Sequence, residues 1–361
     1  MVSTSATPPR LVLHPGHPKC GSSSIQHAMY SNIEALKQRG VIVPAQRPNR
    51  VFMRACLRQD FTGLEEWLDQ ILAETRREGG NTVLISAENL GVRRMVTEGL
   101  AIHRLFHRRF RTVDVIYYVR RQDDWMVSQW QQWGHKLGMD LEKFIQNQIE
   151  DHEPNYLVAA AAFEEIYGKE HVAIVPLHKR ALLDGDLIAD FVRRSDVGPL
   201  PVDVEDRQRN ASMGGYFCDV LARVPAVYDQ ALASRVSEGI TDQSVRRLLE
   251  RSVRSRELLF SGDKRIMSVK QRRRVLEHFA DDNRRLHERF FREVPFDLVF
   301  GPPADDDQDT QALSDRVDGL TDVVAIQMEL ILKLLDGTDG QNPGHVLIRR
   351  ARSLARRLGR R

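Results

Sequence analysis

The stretch LVLHPGHPKCGSSSIQHAMY, from Leu11 to Tyr30, decides the fold. Three apolar residues run into a loop that holds two glycines, one lysine and three serines, and apolar residues then recur at helical spacing. A loop between a strand and a helix exposes backbone N–H groups at the positive end of the helix dipole. Such a loop with a lysine in it predicts a binding site for an anion that has several oxygens.

Short apolar runs alternate with helical patterns along the rest of the chain. Further strands are predicted at Val41 to Pro44, Thr82 to Asn89, Val113 to Arg121 and Val172 to Lys179. Helices are predicted from Ile25 to a stop at Gly40, from Glu65 to Arg77, from Asp123 into the tryptophans and from Phe144 to Glu150, with a mostly helical region from Val204 to Glu293. This alternation predicts an α/β protein with a P-loop-like parallel sheet flanked by helices.

Polar residues cluster where three of the predicted strands end. They read HPGHPKCGSSS after the first strand, SAEN after the strand that begins at Thr82, and RRQDD after the strand that begins at Val113. Ligands of open parallel sheets bind outside the carboxyl ends of the strands. We therefore expect these three segments to form one site.

Composition indicates a soluble globular protein whose charge is unevenly placed. Of 361 residues, 42% are hydrophobic and 29% are charged, and the net charge is +3. The segment from Gln341 to Arg361 holds seven arginines and no acidic residue, so the remainder of the chain carries −4. This distribution argues against a broad nucleic-acid-binding surface on the fold.

Cysteine use and the absence of long apolar runs favour a cytoplasmic protein. The three cysteines, Cys20, Cys56 and Cys218, show no metal-ligand spacing, which predicts a reduced compartment without disulfides or zinc. The start, MVSTSATPPR, lacks the apolar core of a secretory signal, and no apolar run approaches the roughly 20 residues that span a bilayer.

The chain divides into a domain over 11–300, an acidic linker over 301–311 and a helical extension over 312–361. The linker reads GPPADDDQDTQ, and a heptad-like stripe follows from Leu313 to Leu335, which fits either packing on the domain or a homodimer. The basic tail, HVLIRRARSLARRLGRR, suggests an amphipathic helix. Four alternatives stay open for this tail: peripheral contact with the inner membrane face, docking on the acidic body, nucleic-acid contact and a frayed terminus.

The glycine spacing of the loop matches an ATP- or GTP-binding P-loop only in part. Gly16 and Gly21 have the required separation, but Ser22 stands where the lysine belongs, and Lys19 comes earlier. No Ser or Thr follows a lysine in the way that holds Mg²⁺, which argues against a kinase.

The segment HPGHPKCGSSSIQ resembles the 5′-phosphosulfate-binding loop, PK-T-G-T/S-T/S, of sulfotransferases that use 3′-phosphoadenosine 5′-phosphosulfate (PAPS). Their second element, a strand that ends in arginine with a serine eight residues later, resembles YYVRRQDDWMVSQW, in which Arg120 and Ser128 have that spacing. FEEIYGKEHVAIVPLHK and FADDNRRLHERFF resemble later family segments, so the similarity runs roughly from Leu11 to Phe300.

This resemblance implies a sulfotransferase fold, with PAPS as sulfuryl donor and no metal. It implies that Arg120 and Ser128 hold the 3′-phosphate; Arg121 is the rival of Arg120. The 5′-phosphate is expected on the loop, at Lys19, Cys20, Gly21, Ser22, Ser23 and Ser24, with the Ser22 and Ser23 hydroxyls assisting. Cys20 departs from the family threonine, and it is either a small space-filling residue or a thiol whose pKa is lowered by the lysine and the helix terminus.

Sulfuryl transfer needs a cation at the leaving oxygen and a base at the acceptor. Lys19 is the expected cation, and Glu88, in SAENL, is the expected base. A glutamate in that location is also frequent in similar carbohydrate sulfotransferases. The alternatives are that Glu88 pairs with an arginine or caps a helix, and that His14 or His17 serves as the base.

Several residues farther along the chain are candidates for acceptor or cofactor contacts. His135 and Lys136 follow the tryptophan-rich helix and are expected near the acceptor, and RQRNAS over 207–212 is a further candidate segment. The aromatic residues fit either base or sugar stacking or a place in the core; they are Tyr117, Trp125, Trp130 and Trp133.

The function predicted from the sequence is transfer of a sulfuryl group from PAPS to an acceptor hydroxyl on a carbohydrate or glycolipid. The alternatives are a P-loop kinase that uses ATP, and a non-catalytic nucleotide-binding or membrane-adaptor protein of the same fold.

Overall fold

The computed structural model describes residues 7–45, 49–88, 90–201, 215–222 and 266–303. Its centre is a five-stranded sheet in which every pair of neighbours is parallel. The strands are β1 (Arg10–His14), β2 (Val41–Ile42), β3 (Thr82–Ser86), β4 (Val113–Val119) and β5 (Val172–Pro176), in the order β2-β3-β1-β4-β5. The prediction of an α/β protein with a parallel sheet flanked by helices is confirmed.

Strand β1 occupies the middle of the sheet because its side chains are apolar on both faces. Leu11, Val12 and Leu13 have no exposed surface, as expected for a strand covered by helices on either side. The β1 register aligns Leu11 with Val83 of β3 and with Val113 of β4. The sheet therefore presents the end of β1 between the ends of two neighbouring strands.

Helices cover the sheet and extend beyond it. They are α1 (Ser22–Ser31), α2 (Ile33–Gln38), α3 (Asn49–Arg58), α4 (Thr62–Arg77), α5 (Arg93–Thr97), α6 (Leu100–Arg109), α7 (Gln122–Gln132), α8 (Leu141–Glu150), α9 (Tyr156–Tyr167), α10 (Leu187–Ser195), α11 (Gly215–Ala222), α12 (Val269–His278), α13 (Ala280–Phe290) and α14 (Phe296–Phe300). Short 3₁₀ turns span Gly134–Leu137, Lys169–His171 and Leu183–Gly185.

Two groups of helices pack against the sheet. Helices α1 and α10 contact each other, α1 contacts β3 and α10 contacts β4. Helix α4 contacts β2 and β3, α9 contacts β4 and β5, and α3 and α6 pack beside them. The right-handed rule for parallel crossover connections places these two groups on opposite faces of the sheet.

The predicted helix from Ile25 to Gly40 is wrong in one respect, because the chain breaks at Asn32 into α1 and α2. The Asn32 side chain donates to the Ala28 carbonyl at 2.8 Å and to the Pro201 carbonyl at 3.0 Å. An asparagine amide that competes for backbone carbonyls interrupts a helix.

Several segments for which the sequence made predictions lie wholly or largely outside the described residues. These are the RQRNAS segment over 207–212, most of the acidic linker, the extension over 312–361 and its basic tail. Within the predicted helical region from Val204 to Glu293, the described parts contain α11, α12 and α13. Among the described helices, none combines the length and the apolar character needed to cross a bilayer.

The connections reverse direction between β1 and β4. From β1 the chain moves to β2 at one edge and returns through β3, whereas from β4 it moves to β5 at the other edge. The crevice outside the carboxyl ends of two such strands is the usual ligand site of an open α/β sheet. The loop after β1 and the turn after β4 both open onto this crevice.

Candidate functional site

The loop between β1 and α1 has an unusual backbone that sets the start of the helix. Lys19 has a φ of 62° and Gly21 a φ of 89°, both in the left-handed region. A Cβ atom on Gly21 would lie 2.4 Å from a methyl carbon of Leu187, at the start of α10. Glycine is therefore required at position 21 for both its conformation and its small size.

The backbone N–H groups of Gly21, Ser22 and Ser23 have no hydrogen-bond partner among the described residues. They are the donors available to an anion at the N-terminus of α1. The other two predicted amides are already used, because Cys20 N–H donates to the His17 carbonyl at 3.1 Å and Ser24 N–H donates to Gly21 at 3.1 Å.

The serine side chains differ in orientation. The Ser22 hydroxyl is buried and donates to the His17 carbonyl at 3.4 Å, so it braces the loop from inside. Ser23 and Ser24 are exposed. Among the three hydroxyl groups, those of Ser23 and Ser24 are accessible to a ligand.

Arg120 joins the turn after β4 to the loop after β1. Its Nη1 donates to the Lys19 carbonyl at 3.2 Å, and no other hydrogen bond or ion pair of its guanidinium occurs among the described residues. Arg121 points elsewhere, because its Nε and Nη2 each lie 2.7 Å from a carboxylate oxygen of Asp123. The geometry therefore favours Arg120 over its rival as the residue that meets an anion.

Ser128 lies on the side of α7 that faces the loop. Trp125, one turn earlier, donates its indole N–H to the Pro18 carbonyl at 2.8 Å, and residues three apart share a helix face. Ser128 is buried, and its hydroxyl has no hydrogen-bond partner within the described parts of the chain.

Glu88 follows β3 and is half-buried close to the loop. Burial raises the pKa of its carboxyl group, and the nearby charge of Lys19 opposes this shift in part. No hydrogen bond or ion pair joins the carboxylate to another described residue, and Val92 rather than Glu88 caps α5. A carboxylate with a raised pKa beside a lysine has the properties of a general base.

The two candidate histidines, His14 at the end of β1 and His17 in the loop, are buried. Burial lowers the pKa of His14 to about 3 and that of His17 to about 4. His14 Nδ1 lies 2.8 Å from Ser86 Oγ, and the His17 ring packs edge-on against Trp125 and Tyr156. Both side chains are neutral at physiological pH and covered by protein, so Glu88 is the more accessible candidate base.

Cys20 is a space-filling residue. Its side chain is fully buried, with Sγ 3.8 Å from the Tyr156 hydroxyl, and burial raises its pKa to about 12. The alternative of a thiol with a lowered pKa is wrong, because the loss of hydration outweighs the nearby positive charge. Neither the side chain nor the N–H of this residue is available to a ligand.

The aromatic candidates belong mainly to the core. Tyr117, Trp125 and Trp130 are at most 4% exposed, whereas Trp133 is 52% exposed with the Lys136 ammonium 4.8 Å from its ring centre. His135 has no exposed surface, and its Nδ1 lies 3.0 Å from the Trp130 carbonyl. The expectation that His135 faces an acceptor is therefore wrong, and Lys136 lies on an exposed aromatic ring.

The structure also shows site residues that the sequence analysis missed. Arg272 of α12 forms ion pairs with Asp123 and Asp124 at the start of α7, and Asn283 of α13 pairs with Gln122. The only sequence signal was the FADDN segment, which does not indicate what its asparagine contacts. No group of three potential metal ligands is present in the described ranges.

Comparison with family models, with curated proteins and with solved structures found no match for this chain. The interpretation of the site therefore depends on its own geometry and on the motifs in its sequence.

Proposed function

We propose that this chain is a PAPS-dependent sulfotransferase that sulfates a hydroxyl group on a carbohydrate or glycolipid. The observation that carries the proposal is the hydrogen bond from Arg120 to the Lys19 carbonyl at 3.2 Å. It joins the turn after β4 to a loop in which three N–H groups have no partner among the described residues. A nucleotide with phosphate groups at both its 3′ and 5′ positions would use both.

The hydrogen-bond donors of the site fit such a ligand. The N–H groups of Gly21, Ser22 and Ser23 suit a 5′-phosphate at the helix terminus. The planar Arg120 guanidinium and the Ser128 hydroxyl suit a 3′-phosphate. Among the described residues, the three N–H groups and the Ser128 hydroxyl have no partner and the Arg120 guanidinium has only the Lys19 carbonyl, which supports a site built for a ligand.

When bound, PAPS supplies a sulfuryl group whose transfer breaks the bond between sulfur and a 5′-phosphate oxygen. Lys19 stabilises the negative charge that develops on that oxygen. Glu88 accepts the proton of the acceptor hydroxyl as the new oxygen–sulfur bond forms. The raised pKa of Glu88 favours this proton transfer, and the proximity of Lys19 keeps the base beside the leaving group.

Calorimetry with adenosine 3′,5′-bisphosphate (PAP) and with ATP plus Mg²⁺ tests the ligand. We expect the protein to prefer PAP, and Arg120→Ala to weaken PAP binding about 10- to 100-fold, the loss typical of a charged hydrogen bond. Arg111→Ala is the matched control, because Arg111 is an exposed arginine just before β4, at the opposite end of this strand from Arg120. Its affinity for PAP should equal that of the unmodified protein.

Other outcomes distinguish the alternatives. Tighter binding of ATP with Mg²⁺ would favour a kinase. PAP binding without sulfation of any sugar, glycolipid or phenol acceptor, together with unchanged binding by Lys19→Ala, would favour a non-catalytic protein. A screen with labelled PAPS would identify the acceptor class, and sulfation of phenols alone would contradict the carbohydrate assignment.

A further inference from the structure

The turn that carries Arg120 is contacted by α12 and by Gly301, which follows α14. Arg272 of α12 places Nη1 2.7 Å from a carboxylate oxygen of Asp123 and 3.2 Å from one of Asp124. Arg121 Nη1 lies 3.5 Å from the Gly301 carbonyl. The start of α7 is therefore surrounded by contacts between residues that are about 150 or more positions apart in the sequence.

A reciprocal amide pair reinforces the same turn. Gln122 Nε2 donates to Asn283 Oδ1 at 2.5 Å, and Asn283 Nδ2 donates to Gln122 Oε1 at 3.1 Å. Both side chains are at most 2% exposed. A buried pair in which each amide satisfies the other fixes its two elements relative to one another. Helix α13 therefore fixes the position of the residue two after Arg120.

The charges of this cluster are nearly balanced. Asp123 has no exposed surface and is bound by the guanidinium groups of Arg121 and Arg272. Arg120 and Arg121 come directly before α7, and Asp124 lies in its first turn, four residues after Arg120. Burial acts to raise the pKa of Asp124, but the positive charges of Arg272, Arg120 and Arg121 outweigh it and lower the pKa. Arg272 is the arginine that hydrogen-bonds to Asp124.

We infer that Arg272 is a positioning residue of the proposed donor site: by pairing with Asp123 and Asp124, it leaves the Arg120 guanidinium available for a 3′-phosphate. This inference rests on the proposed function for the identity of the ligand. The cluster of three arginines and two aspartates carries one net positive charge. Without Arg272 the charges cancel, and Asp124 becomes a competitor of the ligand for Arg120.

The alternative explanation is that Arg272 is purely structural and only packs α12 against α7. Charge competition and lost packing predict different effects of a second substitution. In Arg272→Ala, Asp124 is free to pair with Arg120, and we expect about a tenfold loss of PAP affinity. Adding Asp124→Asn removes the competitor without restoring any packing, so the double variant should return to within about threefold of the unmodified protein.

Calorimetry with PAP should therefore compare Arg272→Ala, Arg272→Ala/Asp124→Asn and Arg272→Lys. The lysine variant keeps the positive charge and should retain most of the affinity even if the alanine variant folds poorly. Arg284→Ala is the control, because Arg284 is exposed on α13 and pairs only with Asp281 among the described residues. Failure of Asp124→Asn to restore binding, or full affinity in Arg272→Ala, overturns the inference.

A second readout does not depend on PAP. Phenylglyoxal modification followed by mass spectrometry reports whether a guanidinium is accessible and unpaired. We expect Arg120 to react in the unmodified protein, to be protected in Arg272→Ala and to react again in the double variant. If the unmodified protein binds no PAP but shows this pattern, the proposed function fails and the positioning role stands. If Arg120 reacts equally in all three proteins, the positioning role fails.

Discussion

Glu88 is the residue whose environment bears most directly on the proposed chemistry. It is half-buried, its pKa is raised by burial, and Lys19 is the charge that acts on it most strongly. The negative charge of Glu88 would weaken the attraction of the proposed site for an anion, so we expect this carboxylate to contribute to the proposed reaction.

We predict that Glu88→Gln lowers the rate of sulfuryl transfer about 10²- to 10⁴-fold, the usual contribution of a general base. PAP affinity should stay unchanged or rise slightly, since a negative charge is removed beside Lys19. Steady-state kinetics and calorimetry would separate the two effects. Glu98→Gln is the control, because Glu98 is exposed at the end of α5 and pairs with Arg94.

The pH profile provides a sharper test of the same residue. Activity requires the deprotonated carboxylate, so the rate should rise with pH as Glu88 loses its proton. Because the pKa of Glu88 is raised, this acid limb should lie above pH 4.5, the ordinary value for glutamate. An identical acid limb in Glu88→Gln would assign the base to another group.

For single residues, the sequence predicted which side chains lie near the loop better than it predicted which of them are buried. The Arg120 and Ser128 spacing indicated two residues that do lie on the loop side of the crevice. It could not show that Cys20 is sealed under the loop, or that the Ser22 hydroxyl turns inward. The Cys20 side chain contacts Tyr156, which lies 136 positions farther along the chain.

At the scale of elements, the junction between the loop and α1 depends on Gly21. The strand and helix were evident from the apolar periodicity, but the close approach of α10 was not. Any side chain at position 21 would strain the junction in two ways. An added Cβ would lie 2.4 Å from Leu187, and the φ of 89° is unfavourable for a residue other than glycine.

We predict that Gly21→Ala lowers the free energy of unfolding by about 2–4 kcal/mol, which combines left-handed strain with a steric overlap. PAP binding should also weaken, because the N–H groups of Ser22 and Ser23 shift with the helix start. Urea unfolding and calorimetry measure the two effects.

Gly63→Ala is the matched control for this substitution. Gly63 lies in the first turn of α4, and no atom lies within 4 Å of an added Cβ. Alanine there should stabilise the protein slightly, since it lowers the entropy of the unfolded chain. A loss in Gly63→Ala as large as that in Gly21→Ala would contradict the structural explanation.

For the whole molecule, the sequence predicted the parallel sheet and the end at which polar residues gather, because strand composition and strand ends are local features. It did not predict the strand order, the break at Asn32, or the pairing of Arg272 with Asp123, 149 positions apart. Such contacts are set by tertiary packing, which no local pattern encodes.

One property of the whole molecule follows from three of the buried histidines, His14, His17 and His103, whose pKa values are lowered. Burial lowers their pKa values to about 3, about 4 and about 4, whereas in the unfolded chain they return to about 6.5. Below pH 6.5 the unfolded chain therefore binds protons that the folded protein excludes. Stability contributed by these groups is complete above pH 6.5 and is lost as the pH falls toward 4.

We predict that the free energy of unfolding falls between about pH 6 and pH 4.5, with a slope that approaches 4 kcal/mol per pH unit for three protons. The raised pKa values of Glu88 and Glu153 act in the opposite sense, but these carboxylates are only half-buried. Urea unfolding at a series of pH values measures the slope. His103→Gln, on α6, should reduce the slope by about a third. Constant stability from pH 7 to pH 5 would show that the rings are accessible to protons in the folded protein, and would contradict the closed packing around these three histidines.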